Sequence, residues 1–340
     1  MAMSEAKGRA DAPARAEGAP PRPDAPLPPP RRKPGWLIVR LPPARPYRAT
    51  AALLQKLHLH TVCDEARCPN KGECFASGTA TFLILGDECS RACGFCAVRH
   101  GSPNGAVDAD EPRRVAEAAR LLGLRHVVVT SVTRDDLPDG GAAHYASTVR
   151  AVREAVAGAA VEVLVPDFGG DEGALATVLA ERPDVLDHNL ETVPRLYAEV
   201  RPQGGYARSL ALLRRASAWA RWPGAADARR RPETDAQRVG NGVAWRPRPL
   251  VKTGLMVGLH EAAGEVEAVL TDCATAGVDL VTIGQYLQPA RGCRPVSRYV
   301  PPKEFDELER AGAALGLRVI AAPFVRSSYR AAEALTGWRP

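Results

Sequence analysis

The 340-residue chain has no run of about 18 apolar residues, so it predicts no membrane-spanning helix. Its first residues lack the apolar h-region of a secretory signal, and Glu5, Asp11, Glu17 and Asp24 break the acid-poor composition of a transit peptide. They show no apolar period and end in PLPPP, so residues 1–32 read as a disordered Ala/Pro/Arg-rich tail. A secreted disulfide framework is missing too. Six of the eight Cys fall in two tight clusters, which in a chain this long implies a reducing compartment, and so the cytoplasm. No large excess of one charge exists. The net +6 comes mostly from Arg in the tail and one insert, which reads as a solvated surface and argues against nucleic-acid binding. A basic face would also suit an acidic protein partner.

What is present centres on TATFLILGDECSRACGFCAV, Thr79 to Val98. A strand-like run, Thr81 to Leu85, ends in Gly86 and leads into Cys89, Cys93 and Cys96. Three thiols within eight residues bind metal or oxidise, and thiolates suit zinc, copper(I) or iron–sulfur clusters. Zinc sites usually want four ligands, and no fourth Cys lies nearby. Three ligands on a four-iron cube leave one iron open, as a catalytic metal requires. Upstream, Cys63, Cys68 and Cys74 form a second three-thiol set, for which structural zinc is the bland alternative. Cys273, in a helix-like run, reads as a buried small hydrophobe.

Strand-like and helix-like runs alternate from Thr81 onward. The strands are Phe82–Leu85, His126–Ser131, Val161–Val165, Val185–His188, Val251–Val257 and Leu280–Ile283. The helices are Arg113–Leu122, Ala142–Ala157, Gly173–Ala180, Tyr206–Trp219 and Gly264–Ala276. This pattern predicts a parallel α/β sheet, a partial (β/α)6 TIM-type barrel, with functional groups on loops after the strands. Around a barrel at 79–300 lie an arm at 33–78, with a short helix from Thr50 to Leu59 capped by Thr50, and an extension at 301–340. That extension predicts a helix (Lys303–Leu315) and a short strand (Arg318–Ala321). An Arg/Pro/Gly-rich insert occupies 221–248.

The spacing C-x3-C-x2-C, with Phe95 before the last Cys, resembles the cluster loop of radical S-adenosylmethionine (SAM) enzymes, whose fold is such a partial barrel. Paired with C-x4-C-x5-C upstream, it resembles the lipoyl synthase family. RRKPGWLIVRLP, TSVTRDDLPDGGAAHY, DHNLETVPRLY, KTGLMVGL, TIGQYLQP, RYVPPKEF and RSSYRA carry the likeness across roughly residues 33 to 332. The resemblance implies two [4Fe-4S] clusters. Cys89, Cys93 and Cys96 would hold the one that binds SAM. Cys63, Cys68 and Cys74 would hold an auxiliary one, with Ser328, or alternatively Ser327, as its fourth ligand. It further implies insertion of sulfur at C6 and C8 of a protein-bound octanoyl-lysine, with two SAM and one auxiliary cluster consumed per lipoyl group. The implied partners are octanoylated lipoyl carrier domains or the H protein, a ferredoxin- or flavodoxin-type electron donor and an iron–sulfur carrier.

Other candidates follow barrel strands. Asn189 and Glu191 are expected to touch SAM or substrate. Thr133, Arg134, Asp135 and Asp136, and likewise Gln285 and Tyr286, are either site residues or turn-formers, and Arg201 binds a carboxylate or lies on the surface. The RSSY serines could instead cap a helix near Tyr329, with Arg326 pairing with a carboxylate. His260, Cys293 and Arg330 stand where the family usually has Gly, His and His. A biotin synthase-like enzyme, a two-cluster electron-transfer module and a basic zinc-ribbon protein remain the competing readings. The electron-transfer module would be shorter and supply four Cys per cube.

Overall fold

The computed structural model describes residues 32–39, 42–103, 106–221 and 249–335. Apart from Arg32 and Arg221, the expected tail and insert lie outside the described residues. None of the described helices is long and apolar enough to cross a membrane.

One eight-stranded sheet dominates: β1 (His60–Thr61), β2 (Thr81–Ile84), β5 (His126–Ser131), β6 (Ala160–Leu164), β7 (Val185–Asp187), β8 (Leu250–Val257), β9 (Leu280–Gln285) and β10 (Arg318–Ala322), neighbours in that order. A separate pair, β3 (Glu88–Cys89) and β4 (Arg99–His100), closes the loop after β2. The six expected barrel strands are all present and all parallel. Their residues are buried on both faces, as a sheet covered by helices requires. The sheet also runs further than six strands. β10 adds in parallel beyond β9, and β1 adds antiparallel to β2; these two end strands do not pair with each other, so the sheet is open among the described residues. A two-residue strand carries no periodicity, which is why β1 escapes sequence reading.

Outer helices are α4 (Glu111–Leu121), α5 (Ala142–Ala155), α6 (Glu172–Ala180), α8 (Tyr206–Arg221), α9 (Glu265–Ala276) and α10 (Pro302–Ala314), with the one-turn α7 (Tyr197–Val200) between α6 and α8. The α6 start is fixed by Asp171, whose side chain accepts from the amides of Gly173 and Ala174. Cys273 on α9 is fully buried among apolar neighbours, as expected. The arm carries α1 (Ala44–Lys56), α2 (Val62–Glu65) and α3 (Lys71–Ala76). Here the sequence reading needs correction. α1 starts well before Thr50, which sits mid-helix and donates from its hydroxyl to the Phe75 carbonyl at 2.7 Å. Pro43 precedes the first turn and Pro46 lies in it, positions where a missing amide costs nothing.

His260, in the loop after β8, has φ 96°, a left-handed conformation that costs a non-glycine residue about 1–2 kcal/mol. Its carbonyl accepts from Arg195 at 2.8 Å, so the turn forms despite the side chain.

Candidate metal centre

Both three-thiol sets open onto one cavity of about 330 Å³ at the carboxyl ends of the strands. Cys89, Cys93 and Cys96 line one part of it, and Cys63, Cys68 and Cys74 another. Parallel sheets place ligand sites there because the connecting loops converge at that end.

The Cys89–Cys96 loop is tied down from three sides. Ser90 donates from its amide and hydroxyl to the Thr133 carbonyl, both at 3.0 Å. Gly94 donates to the Val200 carbonyl at 2.9 Å and accepts from the Arg294 amide at 2.7 Å. A Cβ on Gly94 would stand 3.1 Å from the Glu199 carbonyl, so the close approach favours glycine. Beneath the loop, Arg91 is buried and pairs with Asp135 and Asp167, each at 2.7 Å. Arg208 also pairs with Asp167 at 2.8 Å. Burial would raise the Asp167 carboxyl, but the two guanidiniums outweigh it and hold it well below the usual range. Two amides, of Arg91 at 3.5 Å and Thr133 at 3.3 Å, point at the Cys89 sulfur, an arrangement suited to a thiolate. Thus Thr133 and Asp135 brace the cysteine loop from the β5 end. Arg134 instead bonds Asp136 and the Leu85 carbonyl.

Burial pushes the thiols of Cys63 and Cys96 up to about 12, and those of Cys74 and Cys93 up to about 11. Thiolates at such positions need a strong cationic partner, which clustered iron supplies. Among the described residues, no three His, Cys, Asp or Glu side chains gather closely enough for a single metal ion. Each set offers three thiols, a donor number that matches three corners of an iron–sulfur cube and falls short of the four ligands of structural zinc.

The chain end returns over this cavity. Residues Val325 to Tyr329, including Ser327 and Ser328, line it. Asn70, between Cys68 and Cys74, donates to the Phe324 carbonyl at 2.7 Å. Glu73 on α3 accepts from Tyr329 at 3.0 Å and pairs with Arg330 at 2.9 Å. Arg330 thus clasps the cysteine-bearing helix. The Ser327 hydroxyl donates to Asn189 Oδ1 at 2.6 Å, whereas the Ser328 hydroxyl has no hydrogen-bond partner among the described residues. The final helix, α11 (Ala331–Leu335), begins after Arg330, so neither serine sits at its start. Arg326 donates to the carbonyls of Val325 at 2.6 Å and Gln285 at 2.9 Å, and pairs with no carboxylate among the described residues.

Two strand glycines make room for that return. A Cβ on Gly254 would lie 2.5 Å from both Asn189 Oδ1 and Ser327 Oγ, and one on Gly284 would overlap the Val325 carbonyl. Backbone cannot yield as a side chain can. Gly284→Ala is expected to cost about 1–3 kcal/mol and lift the 324–330 segment. Thermal unfolding together with limited proteolysis checks this. An unchanged melting temperature and an uncut C-terminus would contradict it.

Asn189, Glu191 and Arg201 also line the cavity. Glu191 has φ 67° and is pinned to β8 by backbone bonds to Gly254 and Met256, both at 2.9 Å. Burial raises its carboxyl. Asn189 donates to Glu191 at 3.1 Å, and Arg201, largely buried, donates to the Asn189 carbonyl at 2.9 Å. His188 donates from Nδ1 to the Val165 carbonyl at 2.8 Å, and burial lowers it to about 4, so it stands neutral. Tyr286 lines the cavity, while Gln285 does not and instead ties down the main chain at Val257, Arg298 and Val300. The Cys293 thiol donates to the Cys96 carbonyl at 3.5 Å.

Sequence reading missed the ionic layer under the cavity: Glu162 on β6, Asp187 on β7 and Lys252 on β8, with His126 at its edge. The available signal was a single charge inside each apolar run, AVEVL, VLD and LVKTGLMV.

A sequence profile of the Radical SAM superfamily matches residues 83–218. A lipoyl synthase from Nitratidesulfovibrio vulgaris is 51% identical over 306 residues, covering 89% of this chain and 92% of that one. A lipoyl synthase from Thermus thermophilus is 49% identical over 308 residues, covering 90% of this chain and 87% of that one. A lipoyl synthase from Chlorobium chlorochromatii is 48% identical, covering 88% of this chain and 94% of that one.

Proposed function

The chain belongs to the lipoyl synthase family of radical SAM enzymes, and from that premise we propose how its residues divide the work. The family implies a [4Fe-4S] cluster and SAM, and action on lipoyl carrier proteins. Cys89, Cys93 and Cys96 would hold that cluster. Cys63, Cys68, Cys74 and Ser328 would hold a second, auxiliary cluster, which would supply the sulfur. The observation that carries this division is that both thiol sets line the same cavity, beneath a C-terminal segment displaying an uncommitted serine hydroxyl. A hydroxyl is a harder ligand than thiolate and is more easily given up, which suits a cluster that is dismantled.

When bound, the SAM cluster and SAM supply one-electron chemistry, able to take hydrogen from the unactivated C6 and C8 of an octanoyl chain, which no side-chain base can do. The protein's share is placement. Asn189 and Glu191, fixed by Arg201 and by β8, are the polar groups placed toward SAM, with Glu191 offering its carboxyl and Asn189 holding it. Leu83, Val132, Leu164, Leu255, Met256 and Leu287 give the cavity an apolar wall that accepts an alkyl chain. The segment from Val325 to Tyr329 forms part of the cavity wall, where it helps keep water from the reacting carbons.

The finer reading is that two SAM are used per lipoyl group, on octanoylated lipoyl domains or the H protein. A ferredoxin- or flavodoxin-type donor provides the electrons, an iron–sulfur carrier refills the auxiliary site, and the setting is the cytoplasm. Anaerobic reconstitution with iron and sulfide tests the core of it. Incubation with SAM, reductant and an octanoyl-lysine peptide is expected to yield a peptide carrying two added sulfur atoms by mass spectrometry. SAM cleavage with no sulfur in the peptide would reject the proposal.

A further inference from the structure

The ionic layer beneath the cavity has no counterpart in the chemistry so far. Lys252 is almost fully buried and donates to Glu162 Oε1 at 2.6 Å, with Asp187 Oδ2 at 3.5 Å. Glu162 is held on its other oxygen by His126 Nε2 at 2.9 Å. Burying charges in this way contributes little to stability and is often worse than an apolar replacement. The cluster therefore needs a further use. Its third arm shows one, since the Lys252 ammonium also donates to the main-chain carbonyl of Ser327.

That contact follows from strand geometry. Lys252 and Gly254 lie two apart on β8 and face the same side of the sheet. Gly254, lacking a side chain, lets Ser327 come down onto the strand, and Lys252 reaches its carbonyl from below. Asn189 takes the Ser327 hydroxyl from the β7 side. Ser327 is thus held at both its carbonyl and its side chain. The next residue, Ser328, lines the cavity with its hydroxyl uncommitted.

We propose that Lys252, braced by Glu162 and Asp187, is a positioning residue that fixes the Ser327 peptide and so presents the Ser328 hydroxyl to the auxiliary cluster. This rests on Ser328 being the fourth ligand. Burial and Glu162 together keep Asp187 raised, whereas Lys252 and His126 outweigh burial at Glu162 and keep it lowered. Glu162 is accordingly the firm anionic brace.

The test uses the full chain with Cys89, Cys93 and Cys96 changed to Ala, so that only the auxiliary site is loaded. Iron loss to an added chelator is followed anaerobically by absorbance, with melting temperatures measured on the same samples. Glu162→Gln with Lys252→Met removes both charges and leaves no stranded carboxylate at 162; Lys252→Met with Glu162→Gln and Asp187→Asn, which strands no buried carboxylate, is the second variant, should the pair fail to fold. The expected result is iron loss faster by about tenfold or more, as when an outer-shell partner of a ligand is removed. Adding Ser328→Ala should cause no further acceleration, because both changes act through one ligand. Unchanged iron loss in the Lys252 variants, while Ser328→Ala alone accelerates it, overturns this role for Lys252 only. Effects of Lys252 and Ser328 changes that multiply also overturn it, since they would be independent. If Ser328→Ala alone leaves iron loss unchanged, Ser328 is not a ligand and the role for Lys252 falls with it.

Discussion

Changing Cys89, Cys93 and Cys96 together to Ala is expected to end SAM cleavage and halve the iron, from about eight to about four atoms per reconstituted chain. This loop alone leaves a barrel strand directly, β2, and is anchored to three separate loops at the cavity. The Cys89 sulfur is the acceptor toward which the Arg91 and Thr133 amides are aimed. No side chain in the cavity can replace a reduced cluster as an electron donor. Formation of 5′-deoxyadenosine should therefore fall by about 10⁶-fold or more, the low end of enzymatic rate enhancement. Iron analysis and product chromatography check both halves. Residual cleavage at a tenth of the parent rate would place the SAM cluster elsewhere.

Changing Cys63, Cys68 and Cys74 to Ala should have the complementary effect. SAM cleavage should persist within about a factor of ten, a barrier change of about 1.4 kcal/mol. Sulfur insertion should disappear, because the sulfide source is gone. The set sits on the arm, on α2, the loop after it and α3, apart from the loop that bears the first set, and it meets the rest of the site through Asn70, Glu73 and the returning C-terminal segment. Mass spectrometry of the octanoyl peptide decides the outcome. A lipoylated product from this variant would mean that the sulfur comes from outside the chain. Cys63 is itself buried in the core, so the melting temperature belongs beside the activity measurement.

Much of this site was legible because its parts are local in the chain. The spacing of Cys89, Cys93 and Cys96 announces a thiol-rich site able to bind metal, and the apolar run before them marks the strand that delivers them. The alternation of period-two and helical runs announced a parallel sheet, and with it the end at which ligands bind. α1 was misjudged by half its length because a proline-containing first turn looks like loop in one dimension. β1 was invisible because two residues cannot display a period.

What the sequence by itself determined is the chemistry that short-range spacing can encode: which residues are thiols, how many ligands each set offers, and which strand ends carry polar groups such as Asn189 and Glu191. Only the tertiary structure decided how the distant pieces meet. The two cysteine sets share one cavity, Ser327 is occupied by Asn189 while Ser328 is not, and Lys252 lies beneath the serine segment in a layer with Glu162 and Asp187. The partners in those contacts are separated by up to 138 residues, as between Ser327 and Asn189. Nothing in either partner's local sequence specifies the other. Their meeting depends on the order of the strands in the sheet, on the missing side chains of Gly254 and Gly284, and on hydrogen bonds that form only once the core has placed both ends.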